Sequence, residues 1–261
     1  TLTPMKVLVT GASGMLGSAV SKFANQNGHQ VLTPNHKELD LEHEVTTYGY
    51  LKLHRPDAIF HCAANVGGIS ANIANPFDFL TKNIRIDTAL LGAAKELEIE
   101  KLVYMGSSCM YPKNLPHAMT ESEILSGPLE PTNEGYALAK LVGWKTVQFM
   151  AKSLTWRSFI LSNLYGPNDH FEQERSHLLA AIIQKVYTAR EKKFESIDMW
   201  GDGSAKREFT FVDDVALFLV QSIERMGDFP DTLNLGAGID YSVLEYYKFV
   251  SQSMNYDGAI M

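Results

Sequence analysis

Cysteine is scarce in this sequence: Cys62 and Cys109 are the two in 261 residues. Two thiols cannot build a disulfide scaffold or an all-cysteine metal site, and no metal site is expected. Basic residues are in the minority, 23 against 30 acidic, for a net charge of −7. That balance argues against nucleic acid or an anionic membrane as the main partner. Long apolar runs are missing too. The stretches Val215–Val220 and Leu178–Ile183 are far shorter than the ~20 residues that a membrane-spanning helix needs. The segment Thr1–Met15 carries one lysine and turns at once into a strand and glycine loop, unlike a secretory leader. A reducing, cytoplasmic setting is expected. No repeat or low-complexity segment interrupts the chain.

Apolar residues, at 45%, are plentiful enough for one large domain or a domain with a small annex. Short apolar runs recur at Met5–Thr10, Gln30–Thr33, Ala58–His61, Leu102–Met105 and Phe159–Ser162. Helical spacing fills Ser18–Asn27, Asp78–Leu97 and Gly135–Ser153 between them. This alternation predicts an α/β fold, a doubly wound parallel sheet of Rossmann type. After about Asn163 the texture changes. A polar loop with Pro167, His170 and Glu172–Arg175 leads to a helix over His177–Ala189. Strand-like pieces follow at Met199–Trp200 and Glu208–Phe211, then a helix from Asp213 to about Arg225. A dinucleotide-binding domain over 1–163 and a smaller, interleaved substrate region over 164–261 are expected, with a fixed cleft between them at the carboxyl edge of the sheet.

Gly11-Ala12-Ser13-Gly14-Met15-Leu16-Gly17 has glycines three apart, follows a strand and opens a helix. Glycine permits the tight turn and the approach of phosphate to backbone, and the helix start offers free N–H groups. Gly11, Ser13, Gly14, Met15, Leu16 and Gly17 are therefore candidate cofactor contacts; the bland alternative is a tight turn without ligand. A carboxylate ending the second strand would select NAD. Here His36 and Lys37 stand in that stretch, which favours a 2′-phosphate and NADP(H). Glu38 and Asp40 lie close by, and Asp40-Leu41 could flank the adenine instead.

Tyr136 and Lys140 are four apart on a predicted helix and so share a face. An ammonium group near a phenol is expected to lower its pKa and make Tyr136 a proton donor to a carbonyl under reduction. Ser107, just after a strand, could bond the same oxygen.

The glycine loop with Tyr136-x-x-x-Lys140 resembles the extended short-chain dehydrogenase/reductase family, whose members act on nucleotide sugars. Further segments carry the likeness: His61 to Ile69 (HCAANVGGI), Gly106 to Pro112 (GSSCMYP), Pro131 to Glu134 (PTNE), Asn163 to Pro167 (NLYGP), Trp200 to Gly203, Arg207 to Phe209 and Val212 to Asp214. As a set they look like the epimerase–reductases of GDP-4-keto-6-deoxy-D-mannose within that family. The resemblance gives Ser107, Tyr136 and Lys140 their catalytic roles, makes Cys109 the base and His177 the acid at C3 and C5, and has NADPH reduce C4. It adds Ala63, Ala64, Asn163 and Leu164 to the cofactor contacts. Ser108, Lys185, Trp200 and Arg207 become substrate contacts, though relatives tend to carry arginine where Lys185 stands. It implies a homodimer paired through the helices at 78–97 and 135–153, and a substrate region that continues beyond this chain's last residues. Cys62 alone reads as a core residue. The rivals are a 4-epimerase, a 4,6-dehydratase, a simple 4-reductase, or a dinucleotide binder without turnover; Ser108-Cys109 in place of a carboxylate pair argues against the dehydratase.

Overall fold

The computed structural model describes residues 3–171 and 176–261; the polar stretch Glu172–Arg175 lies outside them. Strands and helices alternate as β1 (Lys6–Thr10), α1 (Met15–Gln26), β2 (Gln30–Leu32), α2 (Glu44–His54), β3 (Ala58–His61), α3 (Ile69–Ala74), α4 (Pro76–Glu96), β4 (Lys101–Ser107), α5 (Glu134–Met150) and β5 (Thr155–Leu161). Then come β6 (Asn163–Tyr165), α6 (Leu178–Lys192), β7 (Ser196–Ile197), β8 (Lys206–Phe211), α7 (Val212–Ser222), β9 (Thr232–Leu235), β10 (Asp240–Ser242), α8 (Val243–Ser253) and β11 (Ala259–Ile260).

The main sheet has the order β2-β1-β3-β4-β5-β9, and every pairing is parallel. Parallel sheets are covered on both faces, so their strands are apolar throughout, and side chains alternate between faces. Leu8, Ile59, Leu102, Tyr104 and Ile160 point to one face, against Leu51 of α2, Leu90 and Leu91 of α4, and Trp144 of α5. Val7, Val9, Phe60, Val103 and Phe159 point to the other, against Val20 of α1 and Val215 and Leu219 of α7.

The sixth strand comes from the chain's second half. Residues 212–235 return to the large sheet as α7 and β9, so a simple cut at 163 does not separate the two units. The smaller unit is a three-stranded sheet, β10-β8-β6, and a β11-β7 pair. Leu179, Ile182 and Val186 of α6 pack there with Phe209 of β8 and with Tyr246 and Tyr247 of α8.

Several boundaries differ from expectation. The first helix starts at Met15 rather than Ser18, so Met15, Leu16 and Gly17 form its first turn. Met199–Trp200 is not a strand: β7 ends at Ile197, and Met199 only adds one bond to the Met261 carbonyl at 2.6 Å. The helix expected to run to Arg225 ends at Ser222 and tightens into a 3-10 turn over Ile223–Asp228. The helices α2 and α3 were not expected. Only Thr47 and Leu51 of α2 are fully buried, which leaves little hydrophobic period to read.

Candidate active site

A cavity of about 910 Å³ runs along the carboxyl edge of the main sheet. The glycine loop forms its floor. Gly11 turns the chain at φ +65°, in the left-handed region that favours glycine. A Cβ on Gly17 would lie 2.1 Å from the Gly11 carbonyl oxygen, so only glycine lets α1 start against β1 this closely. A Cβ on Gly14 would meet nothing nearer than 3.4 Å, leaving its backbone open to the cavity. The first-turn N–H groups of α1 have no partner within the helix and carry its positive dipole end. The surface therefore fits a pyrophosphate, and Gly11, Ser13, Gly14, Met15, Leu16 and Gly17 all line it.

The adenosine end is lined by His36, Asp40 and Leu41, as well as by Asn35 and Glu42, which the sequence reading did not single out. Lys37 is not among the cavity walls. Asn35 Oδ1 accepts the Lys37 and Glu38 N–H groups at 2.9 and 3.2 Å, and Glu38 turns back to accept the Asn35 N–H at 2.9 Å. That closed turn presents His36 rather than Lys37. Asp40 lies between two imidazoles, 3.7 Å from His36 and 3.5 Å from His43.

Ser107, Tyr136 and Lys140 line the far end of the same cavity, with Ala63, Ala64, Asn163, Leu164 and His177. Ser107 ends β4, and Tyr136 and Lys140 share the inner face of α5. Lys140 is 2% exposed. Its Nζ lies 5.9 Å from the Tyr136 ring centre and 4.8 Å from that of Tyr104. The expected lowering of the Tyr136 pKa does not occur. Burial raises it well above the ordinary value, with Cys109 and Asp87 adding to the rise. Desolvation decides the sign, and the Lys140 charge acts on Asp87 instead. Tyr136 thus stands as a firmly protonated phenol, the form that donates.

Ser108 and Cys109 lie on a one-turn helix, Ser108–Met110, behind Ser107 and outside the cavity wall. The Cys109 N–H reaches Ser107 Oγ at 3.5 Å. Burial pushes the Cys109 thiol up to about 11, with Ser107 and Lys140 recovering only part of the shift. The free site does not hold the thiolate expected of a base. Cys62 follows β3 rather than sitting within it and reaches the cavity wall, its thiol pushed up to about 12 by burial. His177 is exposed at the start of α6, on the cavity rim.

The three expected nucleotide contacts sit on the smaller unit, away from this cavity's walls. Lys185 Nζ bonds the Asp198 carbonyl. Arg207, exposed on β8, donates to the Lys206 carbonyl at 2.7 Å. Trp200 is 86% exposed and packs against no core. Sequence reasoning missed Thr10, Asn65, Lys82 and Asn168 in the cavity wall. It also missed Asp87 and Tyr104 beneath it; only Asn83, one turn earlier on the buried face of α4, hints at the first. Among the described residues no His, Cys, Asp and Glu group could hold a metal, and no helix is long and apolar enough to cross a membrane.

A nucleotide floor joined to a Ser–Tyr–Lys end in one cleft defines a dinucleotide-dependent enzyme of the short-chain type. The chain belongs to the NAD dependent epimerase/dehydratase family, whose model matches residues 7–236. It is 42% identical over 260 residues to a GDP-L-colitose synthase of Yersinia pseudotuberculosis, covering 98% of this chain and 84% of that protein. It is 40% identical over 255 residues to a GDP-L-fucose synthase of Azorhizobium caulinodans, covering 97% and 82%. A solved GDP-L-fucose synthetase from Naegleria fowleri bound to NADP has a similar fold, with a TM-score of 0.84 at 23% identity over 100% of this chain and 82% of that one.

Proposed function

We propose that this chain is an NADPH-dependent epimerase–reductase that inverts C3 and C5 of GDP-4-keto-6-deoxy-D-mannose and reduces C4, giving GDP-L-fucose. The observation that carries this is the single cavity that joins the α1 N-terminus to Ser107, Tyr136 and Lys140. NADPH, when bound, supplies the hydride for C4. Ser107 and Tyr136 bond the C4 oxygen, and Tyr136 gives it a proton. Lys140 holds the nicotinamide ribose and places positive charge beside the reacting oxygen. His36 takes the 2′-phosphate. Cys109, as the thiolate, takes the C3 and C5 protons and passes them to water, and His177 gives each carbon a proton drawn from water on the opposite face; with its thiol raised by burial, Cys109 must first lose its own proton to water. Arg207, Trp200 and Lys185 serve the GDP end, Arg207 as a bidentate phosphate partner.

We further infer a homodimer through α4 and α5, whose outer faces expose Phe77, Leu138, Val142 and Phe149, and a cytoplasmic setting that keeps both thiols reduced. A second reading, another 4-keto GDP-sugar, is favoured by the 42% identity to a protein named for a different GDP-L-sugar. Tyr136→Phe tests the assignment. It should keep NADPH binding and cut reduction by about two to four orders of magnitude, the usual worth of a positioned acid. Reduction within a few-fold of the parent would remove Tyr136 from the mechanism.

A further inference from the structure

Beneath the catalytic residues lies a buried polar cluster that neither the glycine loop nor the Ser–Tyr–Lys pattern accounts for. Asp87 of α4 is fully buried. Its Oδ2 accepts the Tyr104 hydroxyl at 2.6 Å, and its Oδ1 lies 3.0 Å from His61 Nε2. A carboxylate only accepts, so His61 donates through Nε2. In the neutral ring Nδ1 then accepts, and the Thr10 hydroxyl, 2.8 Å away, donates to it. Thr10 Oγ1 in turn accepts the Ala63 N–H at 3.1 Å. The donors run one way, from the Ala63 backbone to Asp87. Thr10 directly precedes Gly11, and both Thr10 and Ala63 line the cofactor cavity.

The other end of the cluster reaches the catalytic helix. The Tyr104 hydroxyl lies 3.4 Å from the Lys140 carbonyl, and the Lys140 ammonium sits over the Tyr104 ring. Gly143, one turn beyond Lys140 minus a residue, has no side chain to spare. A Cβ there would lie 2.2 Å from Tyr104 Oη and 2.6 Å from Asp87 Oδ2. Lys140 is faced by Tyr136 on its own helix, by Cys62 after β3, by Tyr104 on β4, by Cys109 after it, and by Asp87 on α4. Burial keeps both phenols and both thiols protonated at neutral pH. Burial alone would raise the Asp87 carboxyl as well, but Lys140, His61 and Tyr104 together hold it below its ordinary value. Asp87 is thus the charged acid of the set.

We propose that Asp87 is a positioning residue for reduction: its carboxylate, held by Tyr104 and His61, is the counter-charge of the Lys140 ammonium and ties α5 to the Thr10 and Ala63 loops under the cofactor. The kinetic test rests on the function proposed above. The pH profile of kcat/KM for NADPH oxidation by the keto sugar is measured for the parent, Asp87→Asn and Tyr104→Phe. Asp87→Asn keeps the shape and removes the negative charge that acts on Lys140, leaving that buried cation against the Tyr104 and Tyr136 rings alone. Reduction at pH 8 should fall about tenfold or more, and the alkaline limb should move down by about one pH unit or more. Tyr104→Phe keeps the charge, so the limb should stay within about 0.3 units while the melting temperature falls. Uniform slowing in Asp87→Asn, with the limb in place, would make Asp87 a packing residue and overturn the proposal.

A substrate-free readout covers a variant that does not fold or a parent that does not turn over. Long-range 1H–15N NMR of the parent protein reads the His61 ring. A proton on Nε2 supports the cluster, and a proton on Nδ1 overturns it. A parent without turnover whose His61 carries the Nε2 proton would refute the proposed function and not this network.

Discussion

The half-buried Cys109 thiol makes a prediction that separates electrostatics from resemblance. Burial moves its pKa from 9.0 to about 11. Two pH units correspond to about 2.7 kcal/mol against the thiolate. At pH 7 about one molecule in 10⁴ carries the thiolate, against about one in 10² for an ordinary cysteine. Thiolate, not thiol, is the nucleophile, so the alkylation rate follows that fraction. The sign is clear: raising the pH restores the charged form. Iodoacetamide labelling of the free protein, read peptide by peptide in a mass spectrometer, should show the Cys109 rate rising about tenfold per pH unit from pH 7 to 10. Cys62, pushed to about 12, should show the same slope without levelling off in that range. The slope is the test, since access changes the absolute rate and not its pH dependence. A Cys109 profile that levels off near pH 7 or 8 would refute the burial account and mean a thiolate preformed in the free site.

Other expectations follow from single contacts. Gly17→Ala forces a Cβ to within 2.1 Å of the Gly11 carbonyl. It should lower stability by about 1–3 kcal/mol and abolish tight NADPH binding, as read by thermal melts and cofactor fluorescence. His29 is buried, and burial lowers its pKa against a smaller upward pull from Glu224. Its neutral form is favoured in the fold, so its contribution is present above pH ~6.5 and is lost as pH falls. Urea unfolding at pH 7.5 and 5.5 should show a smaller acid loss in His29→Gln than in the parent. Val142→Glu, on the exposed face of α5, should convert a dimer to monomers in sedimentation; an unchanged mass would move the interface elsewhere.

Much of the site was legible because its signals are local. The glycine loop is read within seven residues, and Tyr136 and Lys140 are one helical turn apart. Ala63 and Asn163, which the resemblance added to the cofactor contacts, also stand in the cavity wall. What failed to show depends on contacts distant in sequence. β9 joins the main sheet through pairings such as Phe159 with Leu233, and a four-residue strand does not announce its partner. His61, Asp87 and Tyr104 each have an ordinary reading alone; only the crossing of β3, β4 and α4 makes them a cluster. His36 and Lys37 stand side by side in sequence, and only the folded turn shows that His36 lines the cavity while Lys37 does not. The spacing of Tyr136 and Lys140 told of proximity but not of burial, and burial decided the sign of the Tyr136 shift.

The central claim is reduction coupled to epimerisation of a GDP-linked keto sugar. Its most direct measurement mixes the purified protein with NADPH and GDP-4-keto-6-deoxy-D-mannose in deuterated water, follows NADPH loss at 340 nm, and identifies the product by NMR. Stoichiometric NADPH oxidation, GDP-L-fucose as product and deuterium at C3 and C5 are the predicted result. Bound NADPH that is never consumed, or a product reduced at C4 without deuterium at C3 and C5, would contradict it.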